Sequence, residues 1–201
     1  MIHGLANKMA SVFVVHGESS EENKDIYVYA CEAIISAIVN VFVALLISLM
    51  FGRVVEGFIF ISTFALLRSY TGGYHAETHL NCIIMFNVLL SLAISFLSFG
   101  INTTASLVIS TISLIGIYCL SPIDHENKPL DDIMRSNVKK TGSILAVALW
   151  MFCIIDLLVL NIGMDLVVSI SMFSVLGSII VAKANNQASF REEGFSNDNN
   201  G

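Results

Sequence analysis

The sequence predicts an all-α integral membrane protein with about six apolar helical segments, and its composition and patterning carry that prediction. Of its 201 residues, 55% are hydrophobic and only 13% are charged. The mean hydropathy of +0.78 is far above the usual range of soluble domains. Apolar runs alternate with short polar connections, as expected where each segment must cross or enter a bilayer. We expect four clear spans, with the other segments short or re-entrant.

The first elements follow from helical spacing and run length. Apolar positions in residues 1–24 share one helical face, which predicts an N-terminal interfacial helix; a loosely ordered N-terminus is the alternative. Residues Ile26 to Met50 are long enough to span a membrane. Residues Val54 to Leu67 supply only about 14 residues, or about 21 Å of a core about 30 Å thick. That segment is predicted to be either a short span or a re-entrant segment.

Two helical hairpins are predicted in the rest of the chain. They are followed by a polar tail, residues 185–201, whose Asn, Gly, Ser and Glu content predicts disorder. We therefore predict that residues 1–184, which precede this tail, form a single membrane domain. The predicted hairpin helices are Ile83 to Phe99 with Ser106 to Leu120, and Ser143 to Leu160 with Asp165 to Ala182, separated by a polar loop from Ser121 to Thr141.

The distribution of basic residues predicts the orientation. If six segments cross, Arg53 alone falls on one side and all the other lysines and arginines fall on the opposite side. The positive-inside rule makes that shared side the cytoplasm, together with both termini. Three of the four cysteines lie in or beside apolar runs, which argues against a disulfide framework. Cys82 is the cysteine with polar neighbours.

Cys82 closes a polar segment, Arg68 to Cys82, that also contains His75 and His79. A cysteine thiolate is a nucleophile, and a neighbouring imidazolium lowers the pKa of a free thiol from about 8.5. On a regular helix His79 would be adjacent to Cys82, whereas His75 would lie about 10 Å away along the axis. Gly72 and Gly73 would let the chain turn and bring His75 back toward Cys82. Spacing alone favours His79.

Other interpretations of the polar segment remain open at this point. His75, His79 and Cys82 stand at i, i+4 and i+7, a pattern that can provide three zinc ligands. Alternatively, both histidines cap or solvate a helix end in a non-catalytic membrane transport or signalling module. Arg68 either snorkels to the interface or steadies a substrate carboxylate or oxyanion. Lys128 belongs to a basic stretch that either docks an acidic peptide or sets the topology.

Two motifs in this order resemble the accessory gene regulator B (AgrB) family. The first is Arg68, then Gly72-Gly73-Tyr74-His75-Ala76, then Cys82; the second, which we term the proline loop, is Ser121-Pro-Ile-Asp-His-Glu-Asn-Lys-Pro-Leu130. The resemblance covers most of the chain and includes the same pattern of apolar segments. The proline loop departs from some family members, because Glu126 and Asn127 stand where those members have lysines. That departure weakens any claim that the loop recognises acidic groups.

The resemblance implies a bacterial membrane cysteine endopeptidase that processes the precursor of a quorum-sensing peptide. It implies that Cys82 is the nucleophile and His75 its base, and that His79 is dispensable. Arg68, Gly73 and Lys128 also fall on motif positions. Residues 1–184 would form the peptidase domain in the cell membrane, with the active site facing the cytoplasm and without a metal or other cofactor.

The resemblance also implies a reaction and partners. Cys82 would attack a peptide bond near the precursor's C-terminus and hold the remainder as a thioester. A cysteine or serine of the bound precursor would then displace Cys82 and close a thiolactone or lactone ring, a step that tethering accelerates. The expected partners are a small precursor peptide with an amphipathic leader, the lipid bilayer and, by family analogy, a second copy of the chain. Nucleic acid is not expected.

Overall fold

The predicted all-α membrane architecture is confirmed by a computed structural model, which describes residues 4, 6–9, 11, 24–72, 79–98, 103–123 and 131–198. Within these ranges the regular secondary structure is entirely helical. Beyond the N-terminal stretch the helices are α1 (Lys24–Met50), α2 (Val54–Thr71), α3 (His79–Ser98), α4 (Thr103–Leu120), α5 (Asp132–Ile155) and α6 (Asp165–Asp198), and a π-helical turn (Asp156–Leu160) extends α5.

Five of these helices are long and apolar enough to cross a membrane. They are Ile26–Met50, Val54–Thr71, Leu80–Leu97, Ile133–Leu160 and Asp165–Asn185, and Thr104–Leu120 is a shorter apolar helix. The doubtful second segment is one uninterrupted helix of 18 residues. It rises about 27 Å, because the polar residues after Leu67 continue the helix. The chain is therefore a multi-pass membrane protein.

Two predicted segment boundaries differ from the structure. The loop expected from Ser121 to Thr141 is helical from Asp132, where α5 begins. After Pro129 and up to Thr141 the chain has no proline or glycine that would stop a helix. The charged residues in this stretch are compatible with a helix, so their presence did not by itself indicate a loop. At the other end, α6 continues to Asp198 through the segment predicted to be disordered. Where the membrane domain ends stays a prediction.

Ala6 connects the N-terminal stretch to α1. Ala6 is fully buried in a small cluster with Val28 and Cys31, and Tyr27 and Ile35 pack against it. The N-terminal helical stretch is thus held against the bundle by apolar contact.

Helix α6 lies at the centre of the bundle. Of its most apolar stretch, 56% is buried, whereas for α1 and α5 the share is 17%. Small residues allow this close packing: the Ser106 and Ser169 hydroxyl oxygens lie 2.9 Å apart. A Cβ added to Gly116 would lie 2.5 Å from the Leu176 side chain. The second pair lies further along both helices than the first, so α4 and α6 run in the same direction. Glycine and serine are the residues that let membrane helices approach this closely.

Three phenylalanines join α2 and α3. The ring centroids of Phe60 and Phe64 lie 5.9 and 5.0 Å, respectively, from that of Phe86. The Ser171 hydroxyl of α6 donates a hydrogen bond of 3.1 Å to the Phe60 carbonyl. These contacts fix the relative positions of α2, α3 and α6. The candidate site lies at the end of α2, the start of α3 and the later turns of α6.

Two tight turns connect helices at the opposite end of the bundle. At the end of α1, Arg53 N–H donates to the Ser48 carbonyl and Gly52 N–H to the Leu49 carbonyl. This is the pattern of a Schellman cap, with Gly52 at positive φ. Between α5 and α6, the buried Asp156 carboxylate accepts hydrogen bonds from the backbone N–H groups of Ile162, Met164 and Asp165. Asp156 therefore holds the turn and caps the start of α6.

Candidate functional site

The two motif segments meet at one backbone joint. Helix α2 ends at Thr71, and its Thr71 carbonyl accepts a hydrogen bond of 3.1 Å from Ile123 N–H. Gly72 follows with φ 72° and ψ −160°, a region essentially restricted to glycine. A Cβ on Gly72 would lie 2.8 Å from the Ile123 carbonyl oxygen. The polar segment and the proline loop are therefore in direct backbone contact at Thr71, Gly72 and Ile123.

The polar segment is not one continuous helix. Helix α2 ends at Thr71 and Gly72 is non-helical, whereas His79 to Cys82 belong to α3. Residues 73–78 lie outside the described residues. Cys82 lies in the first turn of α3. Its thiol is partly exposed, whereas Cys31 and Cys153 are buried and Cys119 is exposed, and all four cysteines are free.

Cys82 and Arg68 line the same cleft. The cleft has a volume of about 270 Å³ and lies between the end of α2, the start of α3 and the later turns of α6. The Arg68 guanidinium carbon lies 5.7 Å from the centroid of the Phe64 ring, within the range of a cation–π contact. The other lining residues are mainly apolar: Phe64, Met85, Phe86, Leu89, Phe173, Ser174, Gly177, Ser178 and Val181.

Three predicted site residues, His75, Gly73 and Lys128, lie outside the described residues. The first residue of α3 is His79, whose side chain is likewise outside the description. The catalytic roles of these residues stay predictions. In the part of the chain that the structure describes, no three His, Cys, Asp or Glu side chains group as metal ligands. Because both histidines of the alternative zinc site fall outside it, that alternative stays untested.

Sequence reasoning missed the α6 wall of the cleft. Its residues lie about 90 positions beyond Cys82, in a segment identified only as an apolar span. The available signal was the recurrence of small residues, Ser174, Gly177 and Ser178, in that span. Such spacing indicates close helix packing, but it does not indicate which helices are packed.

This arrangement has a definite chemical capacity. A thiol at a partly exposed position can act as a nucleophile, and a guanidinium in the same cleft can stabilise an oxyanion or a carboxylate. The apolar walls reduce the access of water. The fold and site thus define a class: a multi-pass, all-α membrane protein with a thiol and a guanidinium in one apolar cleft.

Comparison with known proteins assigns the family. Residues 6–182 match the family accessory gene regulator B, AgrB. An AgrB-like protein of Clostridium perfringens strain SM101 is 27% identical over 188 residues, which cover 88% of this chain and 87% of the relative. AgrB-like protein 2 of C. perfringens strain 13 is 25% identical over 161 residues, covering 76% and 75%. No solved structure gives a significant match.

The chain belongs to the AgrB family, as the two motifs indicated. Membership of this family supports a role in agr quorum sensing.

Proposed function

We propose that this chain is a membrane cysteine endopeptidase that cleaves a small autoinducer precursor and promotes closure of a thiolactone or lactone ring. The observation that carries the proposal is the cleft that contains both Cys82 and Arg68. Family membership adds support, because Cys82 occupies the motif position of the nucleophile.

The proposed cleavage proceeds through a thioester. His75 takes the proton of the Cys82 thiol, and the thiolate attacks the carbonyl carbon of the scissile peptide bond. Arg68 stabilises the negative charge on the carbonyl oxygen. The C–N bond then breaks, the leaving amine takes the proton from His75, and the C-terminal fragment departs. The rest of the precursor remains on Cys82 as a thioester.

Ring closure follows from the same site. A thiol or hydroxyl of the bound precursor attacks the thioester carbonyl, and the Cys82 thiol leaves and regains its proton. Because the attacking group is already attached to the acyl chain, the step is effectively unimolecular. Apolar walls disfavour the competing attack of water. The basic residues and the proline loop would place this chemistry at the cytoplasmic face, where an amphipathic leader can lie on the membrane.

The test uses the full chain in proteoliposomes, with a small amphipathic peptide as candidate precursor, to be sought in the reading frames that neighbour its gene. Cys82→Ala is expected to lower cleavage by at least about 10³-fold, as loss of a nucleophile does. Cys119→Ala, which removes another exposed thiol, is the matched control and should cleave normally. Mass spectrometry should detect an acyl adduct on Cys82 that hydroxylamine removes. Cleavage that persists in Cys82→Ala would refute the proposal.

The two histidines provide the second part of the test. His75→Ala should abolish cleavage, whereas His79→Ala should retain most of it. Chelators should have little effect. Loss of activity in both histidine variants, together with stoichiometric zinc in the purified protein, would favour the metal site instead.

A further inference from the structure

The described residues that line the Cys82 cleft offer few hydrogen-bonding groups. Ser174 and Ser178 line it, but their hydroxyls donate to the Ile170 and Val175 carbonyls of the same helix, at 2.9 and 2.8 Å. A serine hydroxyl bonded to its own helix has used its donor. The polar chemistry of the cleft thus resides in Cys82 and Arg68, and the remaining surface suits an apolar group.

The size of the cleft limits its occupant. Its volume of about 270 Å³ lies just below the range of about 300–1,000 Å³ that is typical of small-molecule pockets. One large apolar side chain and its adjoining backbone fit such a space, whereas a folded partner or a whole helix does not.

Gly177 leaves space that the internal packing of the chain does not need. Among the described residues, a Cβ at this position would meet no atom within 4 Å, although Gly177 is in the middle of α6 and lines the cleft. Glycine inside a helix costs about 1 kcal/mol relative to alanine. Gly116 is a different case. A Cβ there would contact the Leu176 side chain, so close helix packing explains why this position is glycine. At Gly177 the unfilled space is available to a ligand.

We propose that this cleft is the specificity pocket for a large apolar side chain of the peptide substrate, and that Gly177 sets its depth. The inference rests on the proposed function, since Cys82 must attack the neighbouring carbonyl. A peptide has carbonyl groups next to its side chains, so it can place an apolar side chain against the walls and a carbonyl group near the thiol and the guanidinium. A plain lipid acyl chain has no such carbonyl groups along its length.

The probes are two alkylating reagents that carry a side chain next to an electrophilic carbon: N-acetyl-phenylalanine and N-acetyl-alanine chloromethyl ketone. In each case the thiolate displaces chloride and forms a thioether. Alkylation of Cys82 in proteoliposomes of the full chain is followed by mass spectrometry of the Cys82 peptide. Burial of the ring should make the phenylalanine reagent react roughly tenfold faster or more.

Gly177→Leu should reduce this preference to near parity by filling the pocket, and Gly177→Ala should reduce it partly. The matched control is Ile180→Phe, which adds bulk one turn later at a residue that is 51% exposed and does not line the cleft. It should keep the preference.

If Gly177→Leu keeps the full preference for the phenylalanine reagent, the proposed pocket is wrong. The proposed function would still hold in that case if precursor cleavage depends on Cys82. Equal rates in lipid, with a preference appearing only in detergent, would assign the cleft to an acyl chain and also overturn the inference.

Discussion

Replacing Gly72 by alanine tests whether the joint between the two motif segments depends on close backbone contact. Gly72 has φ 72° and ψ −160°, and its added Cβ would lie 2.8 Å from the Ile123 carbonyl oxygen. Real Cβ atoms essentially never approach another heavy atom within 3.0 Å, so a backbone segment must move.

Two contributions set the expected size of the effect. The backbone conformation costs a residue with a Cβ about 1–3 kcal/mol. Moving Ile123 away also weakens its hydrogen bond to the Thr71 carbonyl, which contributes about 0.5–1.5 kcal/mol. Gly72→Ala should therefore lower the free energy of unfolding by about 2–4 kcal/mol.

Gly52→Ala is the matched control. Gly52 also has positive φ, 68°, but its Cβ would meet no atom of the described residues within 4 Å. Only the conformational cost applies, so we expect a loss of about 1–2 kcal/mol. Thermal unfolding can be followed by the reaction of the buried thiols, Cys31 and Cys153, with a coumarin maleimide.

Activity separates the two variants further. Gly72→Ala displaces the start of the polar segment, so precursor cleavage per folded protein should fall by up to about 100-fold. Gly52→Ala lies at the other end of α2 and should leave it unchanged. If Gly72→Ala is no more destabilising than Gly52→Ala and cleaves normally, the joint does not have the proposed role.

Two further predictions concern packing and capping. Asp156→Ala leaves the buried N–H of Asp165 and the part-buried N–H of Met164 unpaired and should cost about 3 kcal/mol or more in the same unfolding assay. Asp165→Asn should cost much less, because one buried carboxylate oxygen of Asp165 has no partner among the described residues; equal losses would contradict the capping role of Asp156. Gly57→Ala would place a Cβ 2.5 Å from the Ser48 Cβ and should cost about 1–3 kcal/mol. Adding Ser48→Gly should recover part of that loss, and a double variant less stable than Gly57→Ala would show that this contact is not its cause.

The sequence predicted most of the helices because membrane burial requires long apolar runs. It placed the ends less well, since an apolar run stops at the first charge while a helix need not. Arg68 illustrates this: it closes the apolar run but lies inside α2. Asp132 is the reverse case, a charged residue that begins α5.

The candidate site was predictable only in part. Cys82 and Arg68 were selected from one local segment, and the structure brings them to one cleft. Gly177 lines the cleft because α6 packs beside α2 and α3. Tertiary contacts decide which helices pack together, and local sequence patterns do not indicate them. Asp156 was visible as an acidic residue in an apolar run, but its role required the turn after α5. His75 stays a prediction from the family motif.

The central position of α6 has a consequence for the order of assembly. During synthesis, α6 emerges after the other five helices, so α2 and α4, which pack most extensively on it, must enter the membrane before this partner exists. Until then the thiol of Cys82 has no facing wall, because Phe173 and Gly177 belong to α6. A ribosome-bound chain that has not yet made α6 would carry Cys82 without the cleft around it. If the cleft is the proposed specificity pocket, selectivity for the substrate would be acquired only when α6 packs against α2 and α3.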